Sequence, residues 1–466
     1  MQLDGRGYKR YWDEPRETMD PREREKLILE RIKHQLGYVY DQLPFYRRHY
    51  DAHGFKPEHV QTLEDFTTKV PVITKKMLVE DQREHPVFGS YAGPFEQDDV
   101  TRIQGSSGTS GTPTFYCVSR ADWERSREVT ALAMWALGAR PCDIAQIGFP
   151  FSLFFGGWGP LQGLEHIGTT VFPLGNIDSK RHLELMQRVG STIFSGTPSY
   201  CLHLIGVAQE MGIDLADSTV NRLIVGGEPG GSLPGTKEAL TNGWNASVHD
   251  SGSTSEMYPF NTNVESEAHE GVLLINDEVF SEIVDRDDAN VPVPHGTRGA
   301  IVYTHLWRQS QPMIRFWCGD ETYMLHDGPT SDGRTYPRLP EGILGRLDDM
   351  LIIRGANIYP SAVETVLRQC EGLGPEFQMV VETRGTMDEM TVRVELTSDA
   401  ARGAAELSPD GADDTRERIR KDAETRLARS LQIRIPVELL EPGTLEPTVF
   451  KARRVDDRRK AAAATP

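Results

Sequence analysis

The chain has 466 residues, more than a single hydrophobic core absorbs, which implies two domains, one of them large. Hydrophobic residues make up 38% and charged residues 26%, a composition that excludes a chain disordered throughout. With 51 basic against 69 acidic residues the net charge is −18; this excludes general attraction to nucleic acid or to an anionic membrane, so an anionic ligand must meet a local set of donors.

Residues 1–20 mix charges with Gly and Pro and lack the apolar core of a signal peptide, and no apolar run is long enough to cross a bilayer. The five cysteines are scattered without a Cys-x-x-Cys pair, as expected for reduced thiols in a cytoplasmic protein. Over residues 21–50, Leu27, Ile28, Ile32, Leu36 and Val39 are spaced for one face of a packing helix whose aromatic end, Phe45, Tyr46 and Tyr50, belongs to the core. The middle of the chain alternates apolar strand-like runs (IAQIGFPF, TTVFPL, STIFSG, RLIVGGE, AIVYTHL) with helical stretches (SKRHLELMQRV, PSYCLHLIGVAQEMG). That alternation predicts parallel β structure with crossover helices and ligand loops at the strand ends. From about Arg346 onward, two strands, a charged helix over residues 415–430 and a further strand predict a small α+β domain, with residues 398–414 as an exposed loop.

Within this frame lie several segments suited to chemistry. Ser106-Ser107-Gly108-Thr109-Ser110-Gly111-Thr112-Pro113 can turn backbone N–H groups and hydroxyls onto a polyphosphate, although it is not a Walker loop, because no Gly-Lys-Ser/Thr follows. Gly226-Gly227-Glu228-Pro229 ends a strand in a tight turn of the kind a planar base could approach. In Ser251-Gly252-Ser253-Thr254-Ser255-Glu256, the glutamate offers the carboxylate oxygen that a hard divalent cation requires. At a Gly turn, Asp320 can accept both hydroxyls of a ribose. Phe149, Phe151, Phe155, Gly156 and Trp158 follow a strand, where aromatics and glycines can wall a pocket for a flat or small apolar acid or can equally be core. Gly345-Arg346-Leu347-Asp348, Arg354-Gly355-Ala356-Asn357 and the tail Lys451-Ala452-Arg453-Arg454-Val455 complete the series.

In this order the segments resemble those of the acyl-adenylate-forming (ANL) superfamily, and most closely its phenylacetate-coenzyme A ligase-like group. The resemblance implies an α/β protein with a large N-terminal domain of mixed and parallel sheets with crossover helices (residues 1–345) and a small mobile α+β domain (346–466). It also implies adenylation of a small, aromatic acid by ATP, transfer to coenzyme A, and a homodimer. Residues 106–112, Gly227, Glu228, Pro229, residues 251–255, Asp320 and Arg346 would then hold the nucleotide. Glu256 would bind Mg²⁺, Thr109 and Lys451 would serve catalysis, Asp348 would be the hinge, and Gly355 with Asn357 would line the coenzyme A channel. A lysine on charge developing in the transition state is an effective catalyst.

Three positions depart from the pattern: Thr112 replaces a lysine, Phe450 replaces a glycine, and Ser251 replaces an aromatic, which leaves adenine stacking to another residue such as Tyr258. The Cys and His ligands of the structural zinc found in some relatives are missing around residues 265–274, which predicts no zinc and places His269 on an exposed loop. Two other readings stay open: activation of a different acid, nitrite for example, with an amine or carrier-protein acceptor, and an inactive nucleotide-binding homologue. The presence of Glu256, Asp320, Arg346 and Lys451 disfavours the second.

Overall fold

The computed structural model describes residues 3–94, 97–106, 113–353, 356–384, 387–405, 409–446, 448 and 454–459. It has the expected α/β character and divides by contact into two compact units. The first comprises Met1–Gly196, Thr219–Gly227 and His249–Ile343; the second comprises Thr197–Ser218, Glu228–Val248 and Leu344–Pro466.

In the first unit, the apolar spacing over residues 21–50 yields two helices instead of one, Pro21–Gln42 and Pro44–Ala52. Pro44 has no N–H to continue the first helix and starts the second instead. The carbonyls freed at the break are taken up by Arg47, whose guanidinium donates to Tyr40 O at 2.9 Å and Asp41 O at 2.7 Å. Asp20 caps the first helix by accepting from the backbone N–H of Arg22 and Glu23. Ile28, Ile32, Leu36 and Val39 are buried with Tyr46, Tyr50, Ile301, Tyr303 and Phe316 in one core, while Leu27 is half-buried.

An eight-stranded sheet runs in the order Arg338–Leu339, Val272–Leu274, Asn263–Glu265, Ser247–Gly252, Arg222–Val225, Ile193–Gly196, Ile144–Ile147, Thr170–Pro173. The run from Arg222–Val225 to Thr170–Pro173 is parallel, with helices Phe155–Ile167 and Ser179–Val189 as crossovers. At the other end of the sheet the pairings are antiparallel. A second sheet orders Ile73–Thr74, Phe316–Thr322, Gly299–His305 and Val279–Val284.

The second unit holds a four-stranded sheet in the order Val437–Leu440, Met387–Leu396, Leu373–Arg384, Val455–Asp457, antiparallel at its centre and parallel at both edges. The stretch expected as a loop after residue 398 is instead the helix Ser398–Ala405 followed by the start of the long helix Pro409–Leu431. Alanine supplies the helix propensity there, and Thr397 Oγ1 accepts from Ala400 N at 3.2 Å as a cap. All five cysteines are free, and only Cys142 is exposed. Among the described residues no helix is long and apolar enough to cross a membrane.

His249 is 1% exposed, and its ring lies 4.6 Å from that of His269, which also contacts Glu265 Oε1 at 3.3 Å. Burial, with the charges of His269 and Arg222, pulls the His249 pKa down to about 3 from an ordinary 6.5. The unfolded chain therefore takes up a proton below pH 6.5 that the folded chain refuses until about pH 3, and stability falls through that window as pH falls. In His249→Asn the loss of melting temperature between pH 7 and pH 5 is expected to be smaller than in the parent. Equal slopes by thermal denaturation would count against it.

Candidate active site

Strands Val100–Gly105 and Phe115–Ser119 pair as a hairpin, with Gly105 opposite Phe115, so the hydroxyl-rich stretch is the connecting loop. Ser107, Gly108, Thr109, Ser110, Gly111 and Thr112 lie outside the described residues, as do Gly355 and Lys451. The roots of the loop are closely tied. Ser106 N donates to Thr114 O at 3.0 Å, Thr114 N donates to Ser106 Oγ at 3.1 Å, and the two hydroxyls lie 3.0 Å apart.

From these roots a polar chain leads inward. Thr114 Oγ1 lies 2.9 Å from Tyr116 OH, which donates to Glu256 Oε1 at 3.1 Å, and Lys75 Nζ lies 3.2 Å from the same phenol and pairs with the Glu256 carboxylate. Ser106, Thr114, Tyr116 and Glu256 are all buried. Burial and the neighbouring charge of Glu256 push the Tyr116 pKa well above its ordinary value, so the phenol stays protonated and donates. Lys75 opens helix Lys75–Glu84 directly after strand Ile73–Thr74, which delivers its side chain to the carboxylate. Sequence reasoning missed both Lys75 and Tyr116, because a pairing between such distant positions leaves no local signal.

Thr254 Oγ1 is buried and has no hydrogen-bond partner among the described residues. Close by in the chain, the Glu256 carboxylate with the Tyr116 hydroxyl beside it supplies the oxygen donors that a hard divalent ion requires. Lys75 already places one positive charge on this carboxylate. Gly252, Ser253 and Ser255 are half-buried. Ser251 is buried, and its Oγ accepts from Asn261 Nδ2 at 3.0 Å. Tyr258 cannot stand in for the missing aromatic: it is 1% exposed, its ring 5.0 Å from Phe155 and 6.3 Å from Trp123, with no open face for a base.

At the strand-end turn, a Cβ on Gly226 would run into the Ser251 carbonyl, and Gly227 has φ +85°, so the backbone here admits no side chain without strain. In the second unit, the Glu228 carboxylate accepts from Ser199 N at 2.9 Å and from the Ser199 hydroxyl, at the start of helix Pro198–Glu210; Pro229 is half-buried. Asp320 is 9% exposed on strand Phe316–Thr322 and follows Gly319 with φ +80°. The guanidinium of Arg346 lies 3.3 Å from Asp348, both largely exposed. Asn357 sits in strand Ala356–Ile358, opposite Ile352 in an antiparallel pair.

Of the expected pocket wall, Phe149 is buried, while Phe151, Phe155, Gly156 and Trp158 are half-buried. The rings of Phe151 and Trp158 meet edge to face at 5.1 Å. A Cβ at Gly157 would lie 3.0 Å from the Phe151 ring, so glycine lets the helix start close against the aromatic turn.

In the second unit, Glu376 binds both flanks of the segment that carries Lys451. Its carboxylate accepts from Thr448 N at 3.0 Å, from Thr448 Oγ1 at 2.8 Å and from Arg454 at 2.9 Å. All three residues are buried.

This α/β fold, in which Ser106 and Thr114 are tied through Tyr116 to the buried Glu256 carboxylate, is that of the acyl-adenylate-forming class. Residues 355–459 match the AMP-binding enzyme C-terminal domain family. The chain is 34% identical over 447 residues to phenylacetate-coenzyme A ligase of Thermus thermophilus, covering 94% of this chain and 98% of that one. It is 32% identical over 385 residues to phenylacetate-coenzyme A ligase of Escherichia coli K12, covering 82% and 85%. The crystal structure of 2-hydroxyisobutyryl-CoA ligase in the postadenylation state, in complex with R3-HIB-AMP, matches with a TM-score of 0.91 at 39% identity, covering 99% of this chain and 95% of that one. The chain therefore belongs to the phenylacetate-coenzyme A ligase family of AMP-forming acid–thiol ligases, within the ANL superfamily.

Proposed function

We propose that the enzyme joins a small, aromatic carboxylic acid to coenzyme A through an acyl-adenylate. An oxygen of the acid attacks the α-phosphorus of ATP, the bond to the β-phosphate breaks, and pyrophosphate leaves. The thiol of coenzyme A then attacks the acyl carbon and expels AMP. The loop residues Ser106–Thr112, with Thr109 central, hold the phosphates through N–H and hydroxyl donors. The turn at Gly227, Glu228 and Pro229 and residues 251–255 flank the base and phosphates, and Asp320 and Arg346 hold the ribose. Lys451 offsets charge that builds on the acid and the α-phosphate. Glu256, with the hydroxyls of Tyr116 and Thr254, is the group that would hold Mg²⁺, which supplies charge neutralisation at the phosphates.

The small domain, residues 346–466, turns about Asp348 between the two half-reactions, and Gly355 and Asn357 line the approach of the thiol. We assign the enzyme to the cytoplasm, in keeping with its five free cysteines, and to a homodimer. The observation that carries this reading is the hydrogen-bonded chain from Ser106 through Thr114 and Tyr116 to Glu256, which ties the loop roots to the acidic residue.

The test is pyrophosphate release from ATP with a panel of aryl and aliphatic acids, with and without coenzyme A. Acid-dependent release that yields a thioester only when the thiol is present is the expected result. Acid-dependent release that never yields a thioester would overturn coenzyme A as acceptor.

A further inference from the structure

In the first unit, Arg102 projects from strand Val100–Gly105, and its guanidinium carbon lies 4.1 Å from the ring centre of Trp123 and 4.6 Å from that of Trp158. Two indole faces thus hold one planar cation. Among the described residues no carboxylate pairs with Arg102 and no hydrogen bond engages it, although acidic side chains outnumber basic ones 69 to 51 in this chain. Gln104 follows two positions along the same strand face and is buried beside the hydroxyl of Tyr258, whose ring packs on Phe155. Burial raises the Tyr258 pKa well above its ordinary range, against the pull of the Arg102 charge, so this phenol is a neutral donor.

A guanidinium stacked on its faces keeps its N–H groups only along its edges, in the plane, where a carboxylate can accept two parallel hydrogen bonds. Arg102 is half-buried, and its guanidinium N–H groups have no protein acceptor among the described residues, which leaves its edge for an anion. Of the two rings that hold it, Trp158 belongs to the expected acid pocket, and Phe155 of the same wall packs on Tyr258.

We propose that Arg102, clamped by Trp123 and Trp158, is a specificity-determining residue that binds a second carboxylate on the tail of the acid, so that the enzyme prefers dicarboxylic acids over their monocarboxylic counterparts. The proposal rests on the acid-activating reading above and names the substrate class of that same site. No bond is made or broken at Arg102; it positions the tail while the other carboxylate attacks ATP.

The experiment measures kcat/KM for pyrophosphate release by the full-length enzyme with matched pairs, phenylacetate against 4-carboxyphenylacetate and hexanoate against adipate, in the parent and in Arg102→Met and Arg102→Lys. The parent is expected to favour the diacid of at least one pair by tenfold or more. Arg102→Met should lower that diacid-to-monoacid ratio by about 10- to 100-fold, the worth of a lost charge-assisted pair. Arg102→Lys should retain part of the preference, and melting temperatures show that both variants fold. A ratio unchanged in both variants overturns the proposal, as does an effect confined to the KM for coenzyme A in the thioester step, which would make Arg102 a contact for that thiol. Absence of pyrophosphate release with every acid fails the acid-activating reading itself, an outcome distinct from an unchanged ratio.

Discussion

Replacing Lys451 with alanine is expected to lower acid-dependent pyrophosphate release by about 100- to 1,000-fold, the usual cost of removing a group that meets transition-state charge. The acid and the α-phosphate are both anionic, and bringing them together concentrates negative charge in a chain that already carries −18. A cation that engages only as this charge builds stabilises the transition state more than bound ATP, so ATP affinity should change little. Calorimetric titration with ATP and a pyrophosphate assay on the same preparation separate the two effects. The thioester half-reaction, started from synthetic acyl-adenylate and coenzyme A, should proceed almost unaltered. Retained adenylation would remove Lys451 from the mechanism.

The second large effect belongs to Glu256. Glu256→Gln leaves the Lys75 ammonium without its counter-charge beside a buried phenol. Removing one partner of a buried pair is strongly destabilising, but the Lys75 side chain is 34% exposed, so water screens the loss and about 1–2 kcal/mol is expected. On the proposed mechanism adenylation should fall by roughly 100-fold, because Glu256 is there the carboxylate that organises positive charge around the phosphates. In the double variant Lys75→Met with Glu256→Gln, much of the lost stability should return while activity stays low. Urea-unfolding midpoints and pyrophosphate rates on the parent, both single variants and the double variant give the complete cycle. A Glu256→Gln enzyme with normal turnover would exclude the carboxylate from the chemistry.

The parts of the molecule that were legible in its residues are those written locally. Strand cores such as IAQI and IFSG, the helix Ser179–Val189 and the Gly-rich turns announce themselves through period and backbone permissiveness within a few positions. The order of the motifs was legible for the same reason. The break at Pro44 was equally visible in the chain, yet the apolar spacing continues across it. Helix Ser398–Ala405 was hidden because Ala, Gly and Asp together suggest a loop, whereas the Thr397 cap and a run of alanines decide for a helix. Lys75 with Glu256, and Arg102 with Trp123 and Trp158, could not be read at all, since strand pairing and helix packing bring those positions together from distant parts of the chain.

The Glu376 carboxylate sets a limit on how far catalysis can reach. Moored at Thr448 and Arg454, the intervening peptide is a short leash: Lys451 is three positions from either mooring, and at about 3.6 Å per residue its Cα stays within roughly 11 Å of both. A longer excursion by the lysine has to carry the mooring and its sheet along with it, so the travel of one side chain becomes the travel of a folded body.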